Sequence, residues 1–476
     1  MPNTNYFAIV LFLIYIVLMF VLSFLGSKKT KTLQSFTTAG GSMGVGVVAL
    51  SLASSFTSAA TLISMPGYVY QAGLSGIVYF NIFQTVGLLL GVMIVGNKVR
   101  RMQSGVNAYS IPEWLRKKYQ SRSLGVIFAI ISVFLITFMI LIVVLMGNVL
   151  NRFLNVPYAI GVILITAYVF AYSLFGGSYT HGWTGMMQSV IMIVAVIWLV
   201  ITAIPSAANW NAFTSEVVKT EPYYFSITNP NGIIFKDHFE VIYCAFLMGF
   251  CNVFQPHLFN KALYLKKEKS WTLTSILGFV VISIFNLALL LGLFIRVYMP
   301  NLTNYDTLFL NYIMNTMSRF AIGLIFVMLM AAAMSTLNGV IIGTVTNLTT
   351  EVLPKSWSDK RSLATVRVIL AAMGVVVILF SLRPPNFILI IGMWGYNVLM
   401  SAALVPMVCS IWLPKVSKYS VIASTITTVV VFLAIMISRI TFNGAWACGW
   451  AVPAGVIMAI IVELVIRAKS KAKQVR

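Results

Sequence analysis

The sequence predicts an all-α polytopic membrane protein, and three observations support that fold class. Of the 476 residues, 60% are hydrophobic and only 9% are charged, whereas a soluble domain carries about 25% charged residues. Apolar stretches of about 20 residues recur along the chain, and each is long enough to cross about 30 Å of hydrocarbon. The short alternating segments of a membrane β-barrel are not visible, so helices, which satisfy their own backbone groups, are expected to cross the lipid.

Thirteen candidate spans follow one another along the chain. They are 6–27, 43–72, 76–97, 123–149, 157–176, 183–204, 239–258, 270–298, 319–346, 363–382, 387–413, 419–438 and 445–467. Two longer connections separate them, a polar stretch at 206–238 and a more apolar one at 299–318 that is expected to include a short interfacial helix. No Lys or Arg precedes Lys28, so the first span lacks the basic region of a cleaved signal peptide and is expected to be retained.

The basic residues predict the orientation of these spans. Cytoplasmic loops carry an excess of Lys and Arg. With the N-terminus outside, 25 of the 32 basic residues, Lys261 among them, fall in predicted inner segments. We therefore expect an N-terminus outside and a C-terminus inside, in the plasma membrane. This segregation also accounts for the net charge of +22, so the lipid bilayer is an expected partner and nucleic acid is not.

The acidic residues restrict the chemistry. All ten fall in loops or at span ends, and a charged side chain at the bilayer centre would cost at least about 2.5–3.5 kcal/mol. A proton pump working through a buried Asp is therefore not expected, and a coupling cation would be held mainly by neutral oxygens. No Ser/His/Asp, metal or carboxylate constellation gathers at one depth, so an enzyme is not expected. The four cysteines form no CxxC pair and are expected to be packing groups.

Neutral oxygens are dense in the second span. Residues 51–67, SLASSFTSAATLISMPG, hold seven hydroxyl side chains and end in Pro-Gly. Small hydroxyl residues favour close helix packing. The alternative is a broken helix whose freed carbonyls and hydroxyls bind Na⁺ beside a substrate. The seventh span contains Gly249 and ends at Pro256, which suggests a second interruption.

Six sequence pieces together resemble the sodium/solute symporter family. In order they are TTAGGSMGVGVVALSLASSFTSAATLISMPGYVYQAGLSG (37–76), SIPEWLRKKYQSR (110–122), SLFGGSYTHGWTGMMQ (173–188), QPHLFNKALYLKK (255–267), MAAAMSTLNG (330–339) and RPPNFILIIGMWGYN (383–397). The resemblance implies the fold of the leucine transporter, with a five-plus-five inverted repeat in one transporter domain over 1–476. The first repeat is then 37–205 and the second 239–413, with peripheral helices in 1–36 and 414–476.

The same resemblance implies a secondary active symporter that imports a small organic solute with sodium. The family's sodium site maps onto the carbonyls near Ser54 and Thr57, the Ala332 carbonyl, and the hydroxyls of Ser335 and Thr336. These two hydroxyls have helix packing as their alternative role. One departure concerns Thr184–Gln188, where Gly185 replaces the usual Asp. Weak sodium dependence, or use of another cation, is the expected consequence.

The solute is harder to predict. Thr61 and Phe80 replace polar residues of the family's sugar branch, so sugars are disfavoured, and the pattern looks most like the pantothenate permeases, with the monocarboxylate and proline branches also similar. Candidate solute-binding residues, each with packing as its alternative, are Ser58, Thr61, Asn81, Gln84, Asn252, Gln255, Trp394, Tyr396 and Asn397. His257 is expected at the cytoplasmic end of its span.

Two other functions stay open at this point. A proton-coupled or uncoupled facilitator of the same fold would agree with Gly185. A membrane solute sensor belongs to a different class, and the sequence shows no signalling domain that would favour it. A monomer is expected.

Overall fold

The computed structural model describes residues 5–474 except 233, 267–269, 301–307, 355, 385–387 and 442. Over this part of the chain the protein is helical, and the single strand-like contact is an isolated bridge between Met43 and Leu265. The predicted all-α class is therefore confirmed.

The first half of the chain forms nine main helices within the described residues, besides a short 3₁₀ turn at Ala39–Gly41. They are α1 (Tyr6–Ser27), α2 (Leu33–Thr38), α3 (Val45–Phe56), α4 (Ala59–Ala72), α5 (Leu74–Val106), α6 (Ile111–Tyr119), α7 (Arg122–Leu154), α8 (Tyr158–Ala203) and α9 (Ala207–Thr220). The last of these lies in the predicted polar connection at 206–238.

The second half forms nine more within the same described ranges. They are α10 (Phe239–Phe254), α11 (Pro256–Tyr264), α12 (Trp271–Tyr298), α13 (Leu308–Thr316), α14 (Arg319–Val352), α15 (Asp359–Leu382), α16 (Ile388–Trp412), α17 (Lys418–Ile437) and α18 (Gly444–Gln474). The short helix expected in 299–318 is α13.

Ten of the described helices are long and apolar enough to cross a membrane, and two bent pairs raise this number to twelve. The predicted spans 157–176 and 183–204 both lie in α8, which Gly177 divides with φ 52° and ψ −138°. A residue other than glycine is strained in such a conformation. The total of thirteen spans and the N-out, C-in orientation stay predictions.

The first bent pair is α3 and α4, whose axes differ by 64°. At the break, Thr57 and Ser58 are both extended, and Ser58 and Thr61 form a reciprocal capping box at the start of α4. A hydroxyl cap of this kind satisfies N–H groups that the new helix leaves free. Of the two alternatives for the hydroxyl-rich stretch 51–67, the broken helix is the one present.

The second bent pair is α10 and α11, also at 64°. The prediction placed the interruption at Gly249 and the end of the span at Pro256, and both positions were wrong. Gln255 is the extended residue, Pro256 begins α11, and Pro is well suited to a first helical turn. Gly249 is helical instead, and a Cβ there would lie 2.8 Å from the carbonyl carbon of Gln84 in α5, so its role is close helix packing.

Helix α14 forms the centre of the molecule. Almost all of it is buried, and it packs against α1, α3 and α8. By contrast, α1, α17 and α18 expose large apolar side chains, which is the expected surface for helices that face lipid tails. All four cysteines are buried, which agrees with the packing role expected of them.

Candidate functional site

A cavity of about 520 Å³ opens between the two broken helices. Its wall is formed by the α3–α4 and α10–α11 breaks together with α5, α7, α12, α14, α16 and α17. Ile234 and Phe235 of the connection at 206–238, together with Asn443, Gly444 and Ala445 at the start of α18, complete it. Its volume lies in the range of about 300–1,000 Å³ that is typical of small-molecule sites.

Seven of the nine predicted solute residues line this cavity. They are Ser58, Thr61, Gln84, Asn252, Trp394, Tyr396 and Asn397. His257 also lines the cavity, because α10 breaks before it and α11 continues the span beyond it. Its expected place at the cytoplasmic end of the span was therefore wrong.

The structure places the other two predicted residues outside the lining. Asn81 lies in a π-helical turn, Val78–Gln84, and its side-chain nitrogen is 3.4 Å from the carbonyl oxygen of Asn286. Gln255 is fully buried and donates from Nε2 to the Tyr396 carbonyl at 2.6 Å. Gln255 thus ties the second helix break to α16.

A polar network lies on one side of the cavity. The Tyr396 hydroxyl donates to Asn252 Oδ1 at 2.6 Å, and Asn252 Nδ2 donates to the Met248 carbonyl at 2.7 Å. Trp394 Nε1, Asn397 Oδ1 and His257 Nδ1 are buried without a hydrogen-bond partner. Unpaired buried groups cost about 1–3 kcal/mol each, so these positions are suited to a polar solute or to water.

A cluster of aromatic rings forms another part of the lining, which we call the aromatic side, and sequence reasoning missed most of these rings. Phe235 packs against Tyr79 at 4.7 Å and against Phe80 at 5.6 Å between ring centroids. Tyr68 stacks on Phe80 at 6.5 Å. Phe235 has φ 62°, an unusual value for a large side chain. No pattern in the sequence distinguishes these rings from those that face lipid.

The five residues predicted to hold sodium meet at one point beside the cavity. Ser335 Oγ donates to the carbonyls of Ser54, at 2.7 Å, and Ala332, at 2.9 Å. Thr336 Oγ1 donates to the carbonyls of Thr57, at 3.4 Å, and Ala332, at 3.1 Å.

The donor set suits a hard monovalent cation. The Ser54 and Thr57 carbonyls belong to the last turn of α3, where helix ends leave carbonyls free, and Thr57 Oγ1 is buried without a partner. Every group in the cluster is a neutral oxygen. Within the described residues, no group of three or more His, Cys, Asp or Glu side chains could hold a metal ion.

Gly185 lies against the first broken helix. A Cβ at this position would be 2.6 Å from Ser51 Oγ and 3.0 Å from Ser54 Oγ. Lys261 Nζ donates a hydrogen bond to the same Ser51 hydroxyl. Lys261 was expected in an inner segment between two spans, but its side chain is 0% exposed. Its expected place in a loop was wrong, because the residue lies in helix α11, which follows the break at Gln255.

Comparison with known proteins finds matches to sodium-coupled transporters. A family model described as the sodium:solute symporter family matches residues 36–451. The chain is 24% identical over 448 residues to a sodium/pantothenate symporter of Escherichia coli, covering 90% of each chain. It is 25% identical over 364 residues to a sodium/proline symporter of Staphylococcus aureus, covering 73% of this chain and 68% of the relative.

Solved structures show the same fold. A Na⁺-coupled sialic acid symporter in a substrate-bound, outward-open state superposes with a TM-score of 0.77 at 18% identity, over 96% of this chain and 97% of the other. A manganese transporter of Eremococcus coleocola superposes with a TM-score of 0.52 at 14% identity, over 90% and 95% of the two chains. At these identities the likeness concerns the fold alone.

Proposed function

The chain belongs to the sodium:solute symporter family, and from that premise we propose that the central cavity binds the solute and that the adjoining oxygen cluster binds the coupling sodium ion. Sodium-coupled solute symport across the plasma membrane is the function common to its family and curated relatives, which are transporters and not enzymes. The protein spans the membrane several times.

One observation carries the sodium site. Two hydroxyls on an unbroken central helix, Ser335 and Thr336, contact two carbonyls that a helix break has freed, those of Ser54 and Thr57. Na⁺ would take over the carbonyl oxygens that these hydroxyls now contact, with the Ala332 carbonyl as a further ligand. The bound ion would supply a positive charge that holds α3 against α14, and its binding would thereby stabilise the cavity wall that Thr336 also lines.

The solute is proposed to be pantothenate, a monocarboxylate or an amino acid such as proline. Relatives named for pantothenate and proline support this class. The seven predicted residues on the cavity wall are its proposed contacts, together with the aromatic side formed by Tyr79, Phe80 and Phe235. One polar side and one aromatic side suit a solute that has a polar head and an apolar body.

Gly185 supports a second proposal, weak sodium coupling. Where many family members have Asp, this chain has a glycine, which offers no carboxylate. Lys261 donates a hydrogen bond to Ser51, the serine that Gly185 lies against. The missing negative charge removes an attraction for Na⁺. A proton-coupled or uncoupled facilitator is the alternative that this position favours.

We also propose that the two broken helices mark inverted repeats, 37–205 and 239–413, within a single domain that acts as a monomer. The breaks lie in the first and sixth of the ten predicted spans that make up the repeats, which are corresponding positions in the two halves. Labelling of single cysteines from either side of the membrane would test the thirteen-span, N-out arrangement. A cysteine in 206–220 that reacts only from the inside would contradict it.

Transport by purified protein in proteoliposomes tests the proposed function. Radiolabelled pantothenate, lactate and proline are supplied with an inward Na⁺ gradient or with an equal gradient of choline. Accumulation of at least one solute above the external concentration, only with Na⁺, is the expected result. Equilibration without Na⁺ stimulation would instead support the facilitator.

A further inference from the structure

Helix α18 reaches the central cavity although it lies outside the proposed repeats. The second repeat ends at 413, whereas Gly444 and Ala445 in the first turn of α18 line the cavity together with Met436 near the end of α17. Over the rest of its length α18 packs against α16 and α17 and exposes large apolar side chains. The first turn therefore differs from the turns that follow, because it forms part of the cavity wall.

Gly444 lies directly against Asn397 of α16. A Cβ at residue 444 would be 2.1 Å from Asn397 Nδ2 and 3.3 Å from its Cγ, so a side chain there would displace this amide. Asn397 is 3% exposed and lines the cavity, and its Oδ1 has no hydrogen-bond partner among the described residues. An unpaired buried acceptor is costly, so a hydrogen-bond donor of the solute is its expected partner.

A buried carboxylate fixes the start of α18 to α10. Glu240, in the first turn of α10, is 5% exposed, and none of the ion pairs among the described residues includes it. It accepts one hydrogen bond from Asn443 Nδ2 and another from the Lys236 backbone N–H, at 3.0 Å. Hydrogen bonds to a charged group are stronger than neutral ones, so a carboxylate without a cation depends on these two donors.

Asn443 joins this contact to the helix end. Its Oδ1 accepts a hydrogen bond from the backbone N–H of Ala445 at 3.0 Å, so one amide caps α18 with its oxygen and holds Glu240 with its nitrogen. A side-chain cap satisfies an N–H group that the helix would leave free. Contacts at the cavity wall therefore run from α10, through the capped end of α18, to Asn397 of α16.

We infer that the first turn of α18 belongs to the solute site. Gly444 and the bond between Glu240 and Asn443 are positioning elements, and they hold the Asn397 amide where the solute meets it. This inference rests on the proposed function, because it takes the central cavity as the solute site. Changes at the start of α18 are therefore expected to alter the affinity for the solute and to leave the affinity for Na⁺ unchanged.

Gly444→Ala tests the contact with Asn397 in the full-length protein in proteoliposomes. The probe is whichever of radiolabelled pantothenate, lactate and proline the wild type takes up fastest. Because the added methyl group displaces the amide, the solute KM should rise about fivefold or more, with the maximal uptake rate and the Na⁺ half-saturation constant within about twofold of wild type. An unchanged KM would overturn the inference.

Gly455→Ala is the matched control on the same helix. A Cβ at residue 455 would lie 2.1 Å from Thr428 Oγ1 of α17, which is an equally close contact with a side chain outside the cavity lining. This variant should keep the wild-type KM. An equal rise of the KM in Gly455→Ala would show that crowding anywhere along α18 has the same effect, and it would contradict a specific role of the first turn.

Combination with Asn397→Ala separates positioning from general destabilisation. Once the amide is absent, Gly444→Ala has nothing to displace, so the double variant should have the solute KM of Asn397→Ala alone. A double variant whose KM reflects both separate effects multiplied together would contradict action through Asn397.

Exchange of the two bonded groups tests the link to α10, and it does not depend on the folding of Gly444→Ala. Glu240→Gln removes one of two acceptors, and Asn443→Asp places two carboxylates together, so each should raise the solute KM about threefold or more. The exchanged pair restores one donor facing one acceptor and should return the KM to within about twofold of wild type. A KM that stays raised in the exchanged pair, at a wild-type melting temperature, would contradict the link. Failure of the proposed function would differ, because wild-type uptake would then not respond to Na⁺ while these KM comparisons would still decide the role of α18.

Discussion

Replacing Gly185 with aspartate should tighten the binding of sodium. A Cβ at residue 185 meets Ser51 Oγ at 2.6 Å and Ser54 Oγ at 3.0 Å. Both contacts are hydroxyl groups that change position by rotation about χ1, so the aspartate can be accommodated. Its carboxylate would then lie beside the hydroxyl that Lys261 contacts and would bring a negative charge near the proposed sodium ligands.

The size of the effect of this carboxylate on Na⁺ binding follows from Coulomb's law. Ser51 and Ser54 are separated by about 4.5 Å of helix rise. A negative charge ~8 Å from Na⁺, at an effective dielectric constant of ~20, stabilises the ion by about 2 kcal/mol. This corresponds to about a 30-fold change in the half-saturation constant. Because the carboxylate also pairs with Lys261 and loses hydration, we expect a net decrease of about tenfold.

The assay is the Na⁺ half-saturation constant of uptake in proteoliposomes at a fixed solute concentration. Gly185→Asn is the matched control, since it crowds the serines equally but adds no charge. It should leave the constant unchanged or raise it. An unchanged constant in Gly185→Asp would refute the reasoning, and an equal decrease in Gly185→Asn would show that charge is not the cause.

Three further substitutions test the cavity and the packing around it. Tyr396→Phe removes the hydroxyl that bonds Asn252 and should raise the solute KM about fivefold, for a net hydrogen bond of about 1 kcal/mol; an unchanged KM would show that this network does not shape the site. Phe235→Ala removes one ring of the aromatic side and should also raise the solute KM about fivefold, with the Na⁺ half-saturation constant unchanged. A change in the Na⁺ half-saturation constant without a change in the solute KM would contradict the proposal that Phe235 contacts the solute. Gly249→Ala puts a Cβ 2.8 Å from a backbone carbon of α5 and should destabilise the protein by about 1–3 kcal/mol, seen as a lower melting temperature. Gly46→Ala, with nothing within 4 Å, is its control, and equal melting temperatures would disprove the tight contact.

Hydropathy predicts much of this fold because lipid imposes both a length and an internal hydrogen-bond pattern on each span. Helix α1 begins and ends where the first apolar stretch does. The hydroxyl-rich second span left close packing and a helix break as alternatives, and the capping of the new half-helix by Ser58 and Thr61 shows the break. The second break was misplaced because glycine in a membrane helix also permits close helix packing, and this is the role of Gly249.

The candidate site, like the fold, was only partly predictable from the sequence. The proposed sodium residues come from motifs of the family, and the fold brings them together although Ser335 and Ser54 are 281 positions apart. The aromatic side was not predicted, because Phe235 lies in the long connection at 206–238 and reaches the cavity only through tertiary packing. Lys261 was assigned to a loop because charge alone suggests exposure, while its partner Ser51 is 210 positions away in sequence.

The most direct test of the central claim is the Na⁺ dependence of uptake in a double variant, Ser335→Ala with Thr336→Ala. Removing two ligand hydroxyls, at about 1.5 kcal/mol or more each for bonds to a charged group, should raise the Na⁺ half-saturation constant about 100-fold or abolish the stimulation. Thr349→Ala is the control on the same helix, because among the described residues its hydroxyl bonds to the carbonyls of Val345 and Thr346 within that helix, and the variant should transport normally. Sodium-stimulated uptake that survives intact in the double variant would contradict a cation site between α3 and α14.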